Sequence, residues 1–179
     1  MFRYYTDYHS YFPILPEFDD FILEYDHNKL LLWSIIAIMS KSQPETYSSL
    51  VDPVRRLAAD LYEPQSRSLK TMQALLLSCA WPFPFQRTHN DPSPMYCSLA
   101  TNIGYQLGLH RPWCKGDFEE ETQGSSTATT VEMKTWYGCF VVNTWYVSHL
   151  YHTSAYAMTS KYRRLECLTR CGSHASHLC

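Results

Sequence analysis

Apolar side chains along this 179-residue chain recur mostly at three- and four-residue intervals, the period of helices that bury one face. Between Phe2 and Phe12 the aromatics Phe2, Tyr5, Tyr8, Tyr11 and Phe12 fall on one face of a predicted short helix, which Pro13 and Pro16 end. Asp26 then precedes Asn28 and the run Leu30 to Met39, apolar almost all round, as expected of a central buried helix. Asp52-Pro53 has the form of a cap followed by proline at the first helical position, with Val54, Leu57, Ala58 and Leu61 as the apolar stripe of the helix it opens. Ser68 caps a further predicted helix striped by Leu69, Met72, Leu75, Leu76 and Cys79 and ended by Pro82 and Pro84.

After a proline-bearing loop, Phe83 to Pro94, the next helix is predicted from about Met95 to Leu107, striped by Leu99, Ile103 and Leu107. Gly108 stands where a left-handed helix cap belongs, and Gly104 lies where two helices approach closely or a cap forms. Residues 113–130 turn acidic and then rich in Ser, Thr and Gly, the composition of an exposed loop. Thr129 and Glu132 have capping-box spacing ahead of a last helix through Trp136-Tyr137-Gly138-Cys139-Phe140-Val141-Val142. The pattern gives an all-α, multi-helix domain of about six helices, with no internal repeat.

Composition narrows this. Apolar residues make up 45% and charged residues 18%, with fourteen Tyr, eight Phe and five Trp, so a packed aromatic core is expected. A formal charge of −2 gives no overall attraction to phosphate backbones, so direct nucleic-acid binding by this chain is not expected. The N-terminus lacks a secretory pattern, and the longest apolar stretch falls far short of the roughly 20 residues that span a bilayer. The expectation is a soluble intracellular chain with no membrane role, whose seven cysteines are free thiols and whose Cys79, Cys97 and Cys139 serve as small core residues.

Candidate chemistry is sparse. There is no nucleophile elbow, phosphate-binding loop, zinc-protease helix or dinucleotide-binding turn, so no catalytic residue is assigned and the chain is not expected to be an enzyme. Asp19-Asp20 read as helix-start acids, and His110-Arg111 as a helix-end pair. One metal-like cluster, Cys167, Cys171, His174, His177 and Cys179, has zinc-type ligands but folds back on itself at one end of the sequence. No metal or cofactor site is assigned from it.

Four segments together resemble a known family: Leu30 to Lys41, Ser68 to Pro82, Gly104-Tyr105-Gln106-Leu107-Gly108-Leu109-His110-Arg111-Pro112, and Trp136-Tyr137-Gly138-Cys139-Phe140. They are similar to the fungal-specific transcription factor domain, the regulatory middle region of zinc binuclear-cluster transcription factors. The resemblance covers residues 1–144 as a partial domain, incomplete at the C-terminal side, and leaves 145–179 as a divergent tail expected to be disordered. It implies a nuclear regulatory domain without its own DNA-binding module. The partners it implies are the transcription machinery or other parts of the parent factor, with a small-molecule effector of unknown identity left open. The six-cysteine, two-zinc arrangement of the family's DNA-reading module does not occur here, so zinc is expected only in that other module and no direct sequence-specific DNA contact from this chain. Two alternatives stand beside this reading: a truncated interaction module competing for the partners of full-length factors, and a small zinc-binding protein using the C-terminal Cys/His cluster. A partial domain also predicts that the apolar faces around Leu31 and Val141 lack partners within the chain.

Overall fold

The twelve residues of Leu69–Ala80 form a helix whose every position from Thr71 to Cys79 is buried, a pattern only the central element of a helical domain shows. In the computed structural model, which describes residues 1–23, 28–62, 67–84, 90–111, 130–146 and 148, this is α5. In chain order the other helices are α1 (Phe2–Asp7), α2 (Phe18–Leu23), α3 (Lys29–Met39), α4 (Pro44–Ala59) and α6 (Ser93–Gln106), with α7 over residues 130–142. Short 3₁₀ turns at His9–Tyr11, Ser40–Ser42 and Asp60–Tyr62 link them, and no strand occurs among the described residues. The fold is all-α, as the periodicity indicates. The chain divides into two units, Met1–Val142 and Asn143–Cys179. In the second, residues 143–146 and 148 are helical, and the Ser148 hydroxyl donates to the Thr144 carbonyl at 2.8 Å.

The helix starts follow local chemistry. The Asn28 side-chain oxygen accepts from the Leu31 N–H at 2.9 Å while its amide donates to the Thr71 hydroxyl at 3.1 Å, so one cap fixes α3 and ties it to α5. Ser68 caps α5 through the Thr71 N–H, as its position in the sequence predicts. α5 packs on α6 and α3, and α3 packs on α4. The sequence reading made α3 the central helix. Instead Trp33 is exposed, Leu32 and Ile36 are half-buried, and α5 takes the centre. Mean apolarity ranked α3 higher, but burial is decided by what surrounds a helix, and the polar residues of α5 all find partners inside.

The start of α4 also differs from the prediction. Asp52-Pro53 does not open a helix; α4 begins at Pro44 and carries Pro53 within it. Pro44 itself occupies the first turn, where a missing N–H costs nothing, and the apolar stripe extends back through Val51. Pro53 sits on the exposed side, where its ring meets no packed neighbour helix. In α6 Cys97, Ala100, Gly104 and, of the predicted stripe, Ile103 face the core, while Leu99 and Leu107 are only half-buried.

At the N-terminus the predicted face is rotated. Tyr4 is fully buried, whereas Phe2 and Tyr11 are exposed. The reason is a break: α1 ends at Asp7, and the 3₁₀ turn that follows resets the helical phase before Tyr8 to Tyr11 can line up. Tyr4 meets Trp81 edge-on at 6.4 Å and stacks on Tyr8 at 6.3 Å, and the Tyr5 hydroxyl donates to the Pro16 carbonyl at 2.9 Å. Leu31, expected to lack a partner, is fully packed, while Val141 is exposed as expected. Asp19 and Asp20 lie in the first turn of α2, on its solvent side, where carboxylates complement the helix dipole.

His9 lies 4.7 Å from the Tyr5 ring, with its Nδ1 buried and without a hydrogen-bond partner. Burial first, and the Lys134 charge second, hold its pKa below the ordinary 6.5, with Glu17 opposing. The unfolded chain therefore binds the proton more readily, so this stability is present above about pH 6.5 and declines as pH falls below it. Urea midpoints measured from about pH 7.5 down to about pH 5.5 are expected to drop more steeply for the wild-type chain than for His9→Gln. Parallel pH profiles would show that His9 does not carry the effect.

Candidate functional site: a helix junction and an adjoining groove

The four family-like segments meet in space. Gly104 of α6 faces the Trp136 ring of α7, and a Cβ at Gly104 would lie 2.7 Å from Trp136 Cζ3 and 3.1 Å from Met72 Cε of α5. Only a bare backbone lets the three helices approach this closely. One turn on, Gly108 has φ +71° and closes α6 with a paired cap: its N–H donates to the Tyr105 carbonyl at 3.1 Å, and the Leu109 N–H donates to the Gly104 carbonyl at 3.0 Å. That cap turns Leu109 into the core and sets His110 5.1 Å from the Tyr105 ring and 6.4 Å from Trp136. His110 therefore packs against aromatics rather than forming an anion site with Arg111, which is exposed.

A buried polar knot holds the same junction to the N-terminal segment. The Gln73 amide of α5 donates to the Ile14 carbonyl at 2.8 Å and to the Thr135 hydroxyl at 3.1 Å, and that hydroxyl donates to the Val131 carbonyl at 2.8 Å. Each group is satisfied, which removes the penalty of burying it. The Ser34 and Ser78 hydroxyls, 3.4 Å apart, do the same between α3 and α5. Thr135 carries no signal in the sequence pattern, and Gln73 enters it only within the family-like segment Ser68 to Pro82, with no structural role assigned. A glutamine between Met72 and Ala74 in an otherwise apolar run was the available signal.

The junction holds thiols but does not activate them. Cys79, Cys97 and Cys139 are buried as expected. Burial pushes the Cys97 thiol up to about 11 and the Cys79 thiol well above its usual value, so both stay protonated near neutral pH. Among the described residues no group of three or more His, Cys, Asp or Glu is placed to hold a metal ion. The cluster from Cys167 to Cys179 and the acidic stretch Glu119-Glu120-Glu121 lie outside the described residues; of the tail 145–179 expected to be disordered, residues 145, 146 and 148 are described and helical, and the rest lies outside. Among those described, no helix is long and apolar enough to cross a membrane.

Beside the junction, α4 and α6 leave a groove of about 390 Å³, walled by Ala58, Leu61, Met95, Tyr96 and Leu99. Its charged member is Arg55, whose Nη2 donates to the Pro84 carbonyl at 3.2 Å and whose Nε is buried without a hydrogen-bond partner. Burial raises the pKa of the Tyr96 phenol, an effect the Arg55 charge partly offsets. Arg55 was not singled out from sequence, because one arginine in a half-solvated helix gives no periodic or motif signal.

The core signature and the all-helical fold coincide with a family match. The chain belongs to the fungal specific transcription factor domain family, matched over residues 1–165, and is a regulatory domain of a fungal transcription factor. It is 34% identical over 137 residues to the transcription factor SEF1 of Eremothecium gossypii and 33% identical over 138 residues to that of Saccharomyces cerevisiae. These alignments cover 74% and 75% of this chain but only 13% and 12% of the two relatives. The transcriptional regulatory protein SEF1 of Candida albicans is 31% identical over 115 residues, 63% of this chain and 12% of that protein. No solved structure matches the chain.

Two substitutions test the junction. Gly104→Ala forces the Trp136 ring to move and is expected to cost about 1–3 kcal/mol from overpacking, against a helix-propensity gain of about 1 kcal/mol. Urea unfolding should show the loss shrinking in a Trp136→Leu background, and equal losses in both backgrounds would place the strain elsewhere. Gly108→Ala is expected to cost about 1–2 kcal/mol for a left-handed residue with a Cβ, and Gly108→Asn less.

Proposed function

We propose that this domain acts in the nucleus as a non-catalytic regulatory module, through contacts with the transcription machinery or with other parts of its own factor. The observation that carries this reading is that the family's signature residues build a helix junction: Gly104, Trp136, Gly108 and Gln73 pack, cap or tie helices together. A junction of that kind makes a rigid platform, and its Cys79 and Cys97 thiols are buried in their protonated form. The relatives' names as transcription factors support the same role.

DNA reading belongs, in this proposal, to a separate zinc-cluster module, and this domain needs no metal or cofactor for its own action. The net charge of −2 supports that division, since binding to duplex DNA draws on clustered cations and weakens with salt.

A reporter assay tests the proposal. The chain fused to a heterologous DNA-binding domain is expected to change transcription from a reporter bearing the cognate sites, up or down, relative to the DNA-binding domain alone. The Gly104→Ala variant should weaken that change. Equal reporter output from fusion and control, with the fusion present in the nucleus at the same level, would sink the regulatory reading. The chain alone should give no shift of duplex DNA at low salt.

A further inference from the structure

The α4–α6 groove has the composition of a ligand site with one fixed polar anchor. Its volume of about 390 Å³ lies within the size range of small-molecule pockets. Two of its polar side chains are engaged within α6: the Ser98 hydroxyl donates to the Pro94 carbonyl at 2.9 Å, and the Asn102 amide donates to the Ser98 carbonyl at 3.0 Å. Arg55 is the charged residue of the lining. One of its nitrogens is bonded to the Pro84 carbonyl, its Nε has no acceptor, and among the described residues no carboxylate lies within ion-pair distance of it. The groove wall contains no acidic residue. A guanidinium with no carboxylate partner among the described residues, beside an apolar wall, is complementary to a carboxylate that carries an apolar tail, because the planar fork matches carboxylate geometry.

We propose that this groove binds a small amphipathic carboxylate, with its head group on Arg55 and its apolar tail along Leu61, Met95 and Leu99. Tyr96, half-buried beside Arg55, packs against the chain near the head group. The proposal rests on the chemistry of the groove and does not depend on the outcome of the reporter assay.

The test is calorimetric titration of the full chain with sodium decanoate, 1-decanol and sodium acetate. Decanoate is expected to bind at one site, with decanol at least tenfold weaker for want of a charge and acetate showing no saturable heat for want of a tail. Arg55→Met should weaken decanoate by about tenfold to hundredfold, the loss of a charge-assisted hydrogen bond, while leaving decanol unchanged. Should Arg55→Met fail to fold, Leu99→Trp, which fills the groove from its half-buried edge, is expected to abolish decanoate binding with a retained cooperative melt. Decanoate and decanol binding alike, undiminished binding in both variants, or no saturable decanoate heat would each overturn the proposal.

Discussion

A helix buried on every side must leave no polar group unmet, and that condition on α5 organises the rest of the domain. Thr71, Gln73 and Ser78 all lie inside it, and each reaches a different neighbour: Thr71 the cap of α3, Gln73 the N-terminal segment and α7, Ser78 the middle of α3. Apolar packing supplies the driving force, at about 1.5–3 kcal/mol for each fully buried Leu or Met, but it is not directional. The polar contacts are directional. They determine which turn of α3 faces which turn of α5, and they anchor residue 14 to helices more than fifty positions away in sequence.

The second constraint is proximity. Gly104 opposite Trp136, and Gly138 where a Cβ would lie 2.6 Å from Ile14 Cγ2, put backbone against side chain on two faces of α7. Small residues at a helix crossing permit short interaxial distances, and large rings then fill the space alongside. Tyr105, His110 and Trp136 form that filling, brought together by the positive φ of Gly108. The family-like segments are therefore one spatial feature rather than four separate ones, which is why they occur together.

Much of this was legible in the sequence, and the physical basis differs from element to element. Ser68 and Gly108 each read correctly because capping is local: the residue, its φ and its partner lie within a few positions. For α3 the pattern offers Asp26 as the capping residue, whereas Asn28, two positions on, supplies the cap. Pro53 misled, since an Asp-Pro pair is the same signal whether it opens a helix or sits on the exposed side of one already begun at Pro44. Periodicity identified α5 but showed only one stripe, because Thr71, Gln73 and Ser78 look like a solvated face until their buried partners are known. The α1 face was missed for a related reason. A single 3₁₀ turn shifts the phase, and no residue in Tyr8 to Tyr11 announces it. The groove was illegible altogether, since it depends on the gap between α4 and α6 and on a guanidinium left without a carboxylate partner among the described residues.

The groove and the junction share α6. Tyr96 and Leu99 line one side of that helix, while Cys97, Ala100, Ile103 and Gly104 on its other side dock on the core. A packed helix moves as a body more readily than it deforms, so the spacing of α4 and α6 is linked through α6 to the contact between Gly104 and the Trp136 ring. An occupant of the groove biases that spacing only by the difference in its affinity for the two arrangements, however tightly it binds either one. Arg55 is suited to supply such a difference: a charge-assisted bond is sensitive to donor placement, whereas apolar contact along Leu61 and Leu99 tolerates small shifts. In the proposed complex the apolar wall holds the ligand's tail and the guanidinium orients its head group.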